Sequence, residues 1–319
     1  MCGTCGCGAK TQATILNLET GAETTLDGHV RSHTQDDGSA RQHEHSRPHA
    51  HPHDHGADHV HARHHNHDHM HDHEHLHDHE HGDHDHQHDH RHDHDDGHAR
   101  SSVIELEAQI LAKNDALAAK NRGWFLGREI LALNLVSSPG AGKTTLLERT
   151  IRDLKDKIPI SVIEGDQATS KDGERIRAAG AAAVQINTGA GCHLEADMVE
   201  KGLAELKPPF GSMVMIENVG NLVCPALFDL GESAKVVILS VTEGDDKPLK
   251  YPHMFKAAEI MIVNKVDLLP HVDFDVGAAI DNAMKVNPAI LALRVSARTG
   301  EGLDDWYAWL DRRARACRL

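Results

Sequence analysis

Aromatic side chains are scarce in this sequence. Phe, Trp and Tyr make up 3% of 319 residues, and none precedes Trp124. The chain before that point therefore has no ring with which to anchor a core. No apolar run approaches the roughly 20 residues that span a bilayer, which excludes a membrane span. Basic residues are in deficit, 33 Lys+Arg against 49 Asp+Glu, for a formal net charge of −16 with His neutral. That balance argues against a nucleic-acid partner. The opening Met1-Cys2-Gly3-Thr4-Cys5-Gly6-Cys7 lacks the basic and apolar regions of a secretory signal. A cytoplasmic location is expected, with the six cysteines as thiols rather than disulfides.

Histidine is what the chain has in excess. Of its 30 histidines, 27 fall between His29 and His98, interleaved with Asp and almost without Leu, Ile or Val. Such a tract cannot bury enough apolar surface to offset the entropy of ordering, so residues 29–98 are expected to be disordered. Imidazoles at every second position suit divalent nickel, zinc, copper or cobalt, and the tract reads as a metal buffer. Residues 1–28 read as a Cys-rich metal motif with a short linker. Cys2, Cys5 and Cys7, crowded among glycines, can wrap one soft or borderline ion, with the α-amine as a fourth ligand. Residues 99–122 read as a connecting helix: Ser102 and Glu105 form a capping-box pattern, and Ile104, Ile110, Leu111 and Leu117 fall near one face.

From residue 123 to 319 short β-branched runs alternate with amphipathic stretches. Strands are expected at 130–136, 160–164, 183–187, 213–217, 236–241, 260–264 and 290–295. Helices are expected near 144–157, 172–179, 193–206, 249–258, 274–286 and 302–315. This order predicts an α/β domain whose mostly parallel sheet is covered by helices.

The first strand runs into Ser137-Ser138-Pro139-Gly140-Ala141-Gly142-Lys143-Thr144-Thr145. A Gly-rich backbone there aims N–H groups at phosphate, the next helix adds its dipole, Lys143 reaches the β/γ oxygens and Thr144 binds Mg²⁺. Gly140, Ala141, Gly142 and Thr145 complete the loop, with Ser137 where the usual pattern has its first glycine. Asn264-Lys265-Val266-Asp267 closes a later strand. Its Asp267 can accept hydrogen bonds from the guanine N1–H and 2-amino groups, which adenine lacks, so GTP/GDP is favoured. Ser296-Ala297-Arg298 follows the last strand, where a second guanine loop is expected. Between them, Glu217-Asn218-Val219-Gly220 carries an acid for Mg²⁺ and a glycine, Gly220, to sense the γ-phosphate. Asp166 is a second candidate acid, and Asp172 a weaker third whose other reading is a helix N-cap. No glutamine or arginine stands out to speed hydrolysis, so slow turnover is expected.

A second constellation is Gly191-Cys192-His193-Leu194 with Cys224-Pro225. Two thiolates and one imidazole are one ligand short of a closed tetrahedral site, so the ion would keep water or be shared across a dimer. Cys317 has no partner in the pattern.

Taken together, these strings closely resemble the HypB family of hydrogenase maturation factors, P-loop GTPases that deliver nickel to [NiFe]-hydrogenase. The matching segments are the N-terminal Cys-x-x-Cys-Gly-Cys, the His-rich insert, Ser-Pro-Gly-Ala-Gly-Lys-Thr-Thr, Gly-Cys-His-Leu, Glu-Asn-Val-Gly-Asn-Leu-Val-Cys-Pro-Ala and Thr-Glu-Gly-Asp-Asp-Lys-Pro-Leu-Lys-Tyr-Pro-His-Met-Phe, with Asn-Lys-Val-Asp-Leu-Leu-Pro. The resemblance implies a GTPase domain at 123–319, a nickel site at Cys2, Cys5 and Cys7, and a nickel/zinc site at Cys192, His193 and Cys224. It also implies a GTP-dependent homodimer, the zinc-binding partner HypA, and the [NiFe]-hydrogenase large subunit as recipient. Two alternatives stay open: a nickel-storage protein with a secondary G domain, and a urease-type nickel-insertion GTPase. The cysteine triad and Cys192-His193 argue against the second, whose family is expected to use Cys-Pro-His.

Overall fold

A computed structural model describes residues 13–26, 96–167 and 171–318. The Cys2/Cys5/Cys7 motif and nearly all of the histidine tract lie outside these residues. A nine-stranded sheet carries the fold. Strands β1 (Thr14–Asn17) and β2 (Glu23–Thr25) form a hairpin at one edge. The other seven, β3 (Leu131–Ser137), β4 (Ile160–Asp166), β5 (Ala182–Asn187), β6 (Met213–Glu217), β7 (Ala234–Ser240), β8 (Ile260–Asn264) and β9 (Leu291–Val295), run parallel. Their order across the sheet is β2-β1-β5-β4-β6-β3-β7-β8-β9.

The expected parallel architecture is therefore present, and its physical basis is visible in β3. Leu131, Leu133 and Leu135 face α2 (Lys143–Leu154) and α9 (Leu303–Ala316), packing on Leu146, Leu147, Ile151 and Trp306. Ile130 and Ala132 face the other way, into a cluster with Phe125 and with Leu194, Val199 and Leu203 around α4 (Ala196–Leu206). A strand buried on both faces reads as a continuous apolar run, which is why sequence located it to within one residue. The phosphate loop leaves the C-terminal end of this central strand.

Several expectations need correction. The segment read as a linker holds the β1/β2 hairpin, with β1 antiparallel to β5 so that Thr14 lies opposite Asn187. The helix expected at 99–122 is α1 (Asp96–Gly127). Ser102 thus lies inside the helix rather than at its N-cap, and the expected domain start at 123 falls within α1. Among the described side chains its buried stripe is Asn114, Ala118, Asn121 and Phe125, whereas Ile110, Leu111 and Leu117 are only partly buried. The expected helix at 249–258 is two short ones, α6 (Lys247–Lys250) and α7 (Pro252–Ala257), because Pro252 has no N–H with which to continue the ladder. The helix expected from 193 starts at Ala196, leaving Cys192 and His193 in the preceding loop.

Helix α1 is fastened by its two buried asparagines. Asn114 Nδ2 donates to the Asp229 carbonyl at 2.7 Å, while its Oδ1 accepts from the Ala196 N–H at 2.9 Å. Asn121 Nδ2 donates to the Ala196 and Leu230 carbonyls at 2.8 and 3.1 Å. A Cβ at Gly231, where φ is +87°, would stand 2.5 Å from the Ala118 carbonyl oxygen, so only glycine lets the helix approach this closely. Asn121→Ala would strand two buried carbonyls. It is expected to cost about 1–3 kcal/mol, read as a lower urea midpoint at unchanged slope.

Candidate functional site

The end of β3 becomes a phosphate loop because two glycines accept left-handed backbone. Gly140 has φ of +73°, and Gly142, at +95°, is the N-cap of α2. A Cβ at Gly142 would fall 2.5 Å from Asn264 Nδ2. The loop borders a cavity of about 590 Å³ that is also lined by Lys143, Thr144, Glu164, Asp166, Glu217 and Cys192. Ser137, the departure from the usual pattern, accepts a hydrogen bond from Lys143 Nζ at 2.9 Å. Burial depresses the Lys143 pKa, against the pull of nearby carboxylates, Glu217 foremost.

Thr144 Oγ1 donates to Glu217 Oε1 at 2.7 Å, which brings together the two candidate Mg²⁺ residues from different elements. Asp166 ends β4 on the same cavity. Sequence reasoning passed over Glu164. It lies beside Glu217 in the β4/β6 register, buried, and each acid keeps its Oε2 without a hydrogen-bond partner. Burial, reinforced by the Glu217 and Asp166 charges, pushes the Glu164 carboxyl up to about 9. Burial also raises Glu217, opposed by Lys143 and the Thr144 hydrogen bond. Buried carboxylate oxygens with spare lone pairs beside a threonine hydroxyl fit a hard divalent cation. Arg175 was missed as well: it lines the cavity but is held by Glu148 and Asp172, each at 2.8 Å. Asp172 sits in the first turn of α3 (Lys171–Ala179), also on the cavity wall.

The residues expected to recognise the base close the other side. Asn264 Nδ2 donates to the Ala141 carbonyl at 2.9 Å and Lys265 Nζ to the Gly140 carbonyl at 2.7 Å. Asp267 accepts from Ser296 Oγ at 2.6 Å, and Asn264 Oδ1 accepts from the Ala297 N–H at 3.3 Å. A second cavity of about 230 Å³ is lined by Asn264, Lys265, Asp267 and Ala297 together with Gly142 and Thr145. Both halves of the expected guanine pocket therefore meet next to the phosphate loop.

Cys192, His193 and Cys224 also converge. Their ligand atoms lie within 4.8 Å of one another; the two Sγ atoms are 3.1 Å apart, and His193 Nδ1 is 3.7 Å from Cys192 Sγ. Burial pushes the His193 imidazole down to about 4, which keeps it neutral and able to ligate through neutral pH. Phe228 packs its ring 4.0 Å from the imidazole, centroid to centroid. Two soft sulfurs and a neutral nitrogen fit nickel or zinc. Asn218 ties this loop to the sheet: its Oδ1 accepts from the Leu194 N–H at 3.1 Å, and its Nδ2 donates to Asn134 at 3.2 Å. Gly220 packs so closely on Pro139 that a Cβ there would sit 3.1 Å from the proline Cα. The segment from Glu217 to Cys224 thus touches the phosphate loop before it reaches the Cys192/His193/Cys224 cluster. Cys317, partly buried against α9, lies apart from the cluster.

Residues 131–293 match the family model for CobW/HypB/UreG nucleotide-binding domains. The hydrogenase maturation factor HypB of Rhizobium leguminosarum bv. viciae is 62% identical over 215 residues, 67% of this chain and 72% of that protein. Its counterpart in Escherichia coli (strain K12) is 53% identical over 232 residues, 73% of this chain and 80% of that protein. The crystal structure of HypB from Helicobacter pylori in complex with nickel aligns with a TM-score of 0.60 at 40% identity, covering 64% of this chain and 96% of that one.

The buried acid yields a pH test. Because the folded-state pKa of Glu164 is raised from 4.5 to about 9, its contribution to stability is full below 4.5 and is lost as pH rises toward 9. Glu164→Gln cannot ionise. Without nucleotide or divalent cation it is expected to melt at least about 2–4 °C above the parent near pH 8, with the gap closing near pH 4. Parallel melting curves across that range would show that Glu164 carries no such proton.

Proposed function

The chain belongs to the HypB family of hydrogenase maturation factors, and we propose that it is a cytoplasmic, GTP-hydrolysing nickel metallochaperone. In this reading it stores nickel in the 29–98 tract and delivers it to the large subunit of a [NiFe]-hydrogenase, with HypA as partner. The observation that carries the reading is the shared wall: Cys192 lines the phosphate cavity and also belongs to the Cys192/His193/Cys224 donor set. A purely storage protein would have no need to join the two.

Each residue has a distinct task. Gly140, Ala141, Gly142 and Thr145 offer backbone N–H groups and a helix N-terminus to the phosphates, and Lys143 supplies the charge. Asp267 selects guanine, with Asn264, Lys265, Ser296 and Ala297 fixing its loop. Thr144, Glu217 and Asp166 would hold Mg²⁺, which when bound would neutralise charge on the phosphate oxygens. Arg175 is engaged by Glu148 and Asp172, so turnover is slow. Gly220 reads the γ-phosphate, and a shift there moves Cys224 relative to Cys192 and His193. The ion, nickel or zinc, is cargo. It has three protein ligands per chain, and a GTP-dependent homodimer would complete its coordination. Cys2, Cys5 and Cys7 form a separate nickel site.

The test uses the full chain carrying Cys2, Cys5 and Cys7 as serines. Nickel and zinc are titrated with GDP and with a non-hydrolysable GTP analogue, while mass is followed by light scattering. Metal affinity should differ between the two nucleotides and the dimer should form with the analogue; identical affinities would refute the coupling. Lys143→Ala should abolish nucleotide binding and hydrogenase maturation together. Cys224→Ala should weaken this site at least about tenfold, while an otherwise unaltered chain keeps N-terminal binding.

A further inference from the structure

We infer that Glu195 is the positioning residue of the metal site, its carboxylate accepting the Nε2 proton of His193. The inference rests on the reading above, in which Cys192, His193 and Cys224 hold the ion. An imidazole can ligate through one nitrogen at a time, and the other must then carry the ring proton. Here Nδ1 faces the Cys192 sulfur at 3.7 Å, so Nε2 is the nitrogen left with the proton.

That nitrogen has nowhere else to go. Nε2 is buried with no hydrogen-bond partner. The Phe228 ring lies 4.0 Å from the imidazole and walls off its face, so rotation to solvent would break that packing. The Glu195 carboxylate approaches Nε2 to 3.8 Å through Oε1. It needs to travel about one ångström to reach hydrogen-bonding distance.

The surroundings favour that movement. Glu195 is the N-cap residue of α4, and its carbonyl accepts from the Val199 N–H at 3.2 Å. The next N–H, that of Ala196, is taken by Asn114 of α1. The backbone under Glu195 is therefore fixed, and only its side-chain torsions can bring the oxygen in. The side chain is 42% exposed, which leaves room for them. A carboxylate on the far nitrogen fixes the tautomer and ring orientation and makes the near nitrogen a stronger donor to the metal. Loss of such a partner costs about 10–100-fold in affinity in metal sites generally.

The experiment isolates this site within the full chain. With Cys2, Cys5, Cys7 and Cys317 replaced by serine, nickel–thiolate charge-transfer absorbance arises only from Cys192 and Cys224, and the tract imidazoles contribute none. Nickel is titrated against a competing chelator. Glu195→Ala is expected to lower affinity about 10–100-fold, and Glu195→Gln, a neutral acceptor, should fall between it and the parent. GDP affinity and the thermal melt should be unchanged in both. Asp197→Asn removes a neighbouring charge of the same sign and should leave nickel affinity intact. If Glu195→Ala binds within twofold of the parent while Cys224→Ala weakens both band and affinity, the positioning role is refuted and the ligand assignment stands. An equal loss in Asp197→Asn would assign the effect to general charge and refute it as well. If Cys224→Ala keeps both band and affinity, the ligand assignment itself fails and this proposal with it.

Discussion

A line of buried side-chain hydrogen bonds starting at Asn134 locates loops at both ends of the sheet. From the middle of β3, Asn134 Oδ1 accepts from Asn218, and its Nδ2 donates to Glu232 Oε1 at 3.1 Å. Asn218 in turn holds the N–H groups of Leu194 and Val219, while Glu232 holds the Leu230 N–H and pairs with Lys235. Three loops that share no backbone ladder are thereby located from one strand: the metal loop, the segment after β6, and the turn gripped by α1. Polar groups this deep are costly unless every partner is present, so the network specifies a single arrangement of those loops. The positions of Cys192, His193 and Cys224 follow from it.

The parts of the site legible in the sequence are those whose chemistry is contiguous. The phosphate loop and the Asn264–Asp267 segment keep their spacing in any fold that ends a strand there. Cys192, His193 and Cys224 were legible as a set by residue type, although their convergence depends on Asn218, whose role needs the structure. Glu164 was hidden because its partnership with Glu217 is a matter of strand register, with 52 residues of sequence between them. Arg175 was hidden because it reaches the cavity from α3, away from every phosphate- or base-binding motif in the sequence.

The fold was legible wherever burial dictates the pattern and less so where polar contacts do. Strands β3, β6 and β8 are fully buried, and their apolar runs gave them away. Helix α1 was found but its contact face was mistaken, because a search for apolar periodicity passes over Asn114 and Asn121. The β1/β2 hairpin is short and largely polar, and its stability comes from pairing with β5, which no local pattern reveals.

The contacts between Asn264 and the Ala141 carbonyl, and between Lys265 and the Gly140 carbonyl, join the two recognition loops into one piece. A ligand arriving there meets loops that are already ordered, so little of its binding energy is consumed in arranging them. The opposite wall, with Asp166, Gly220 and Cys192, is held by the end of β4, by Asn218 Oδ1 accepting from the Leu194 N–H and by Gln167 Nε2 donating to the Gly191 carbonyl. The cavity thus divides its duties between two walls. One wall joins the loops expected to select the base, and the other shares its footing with the Cys192/His193/Cys224 cluster.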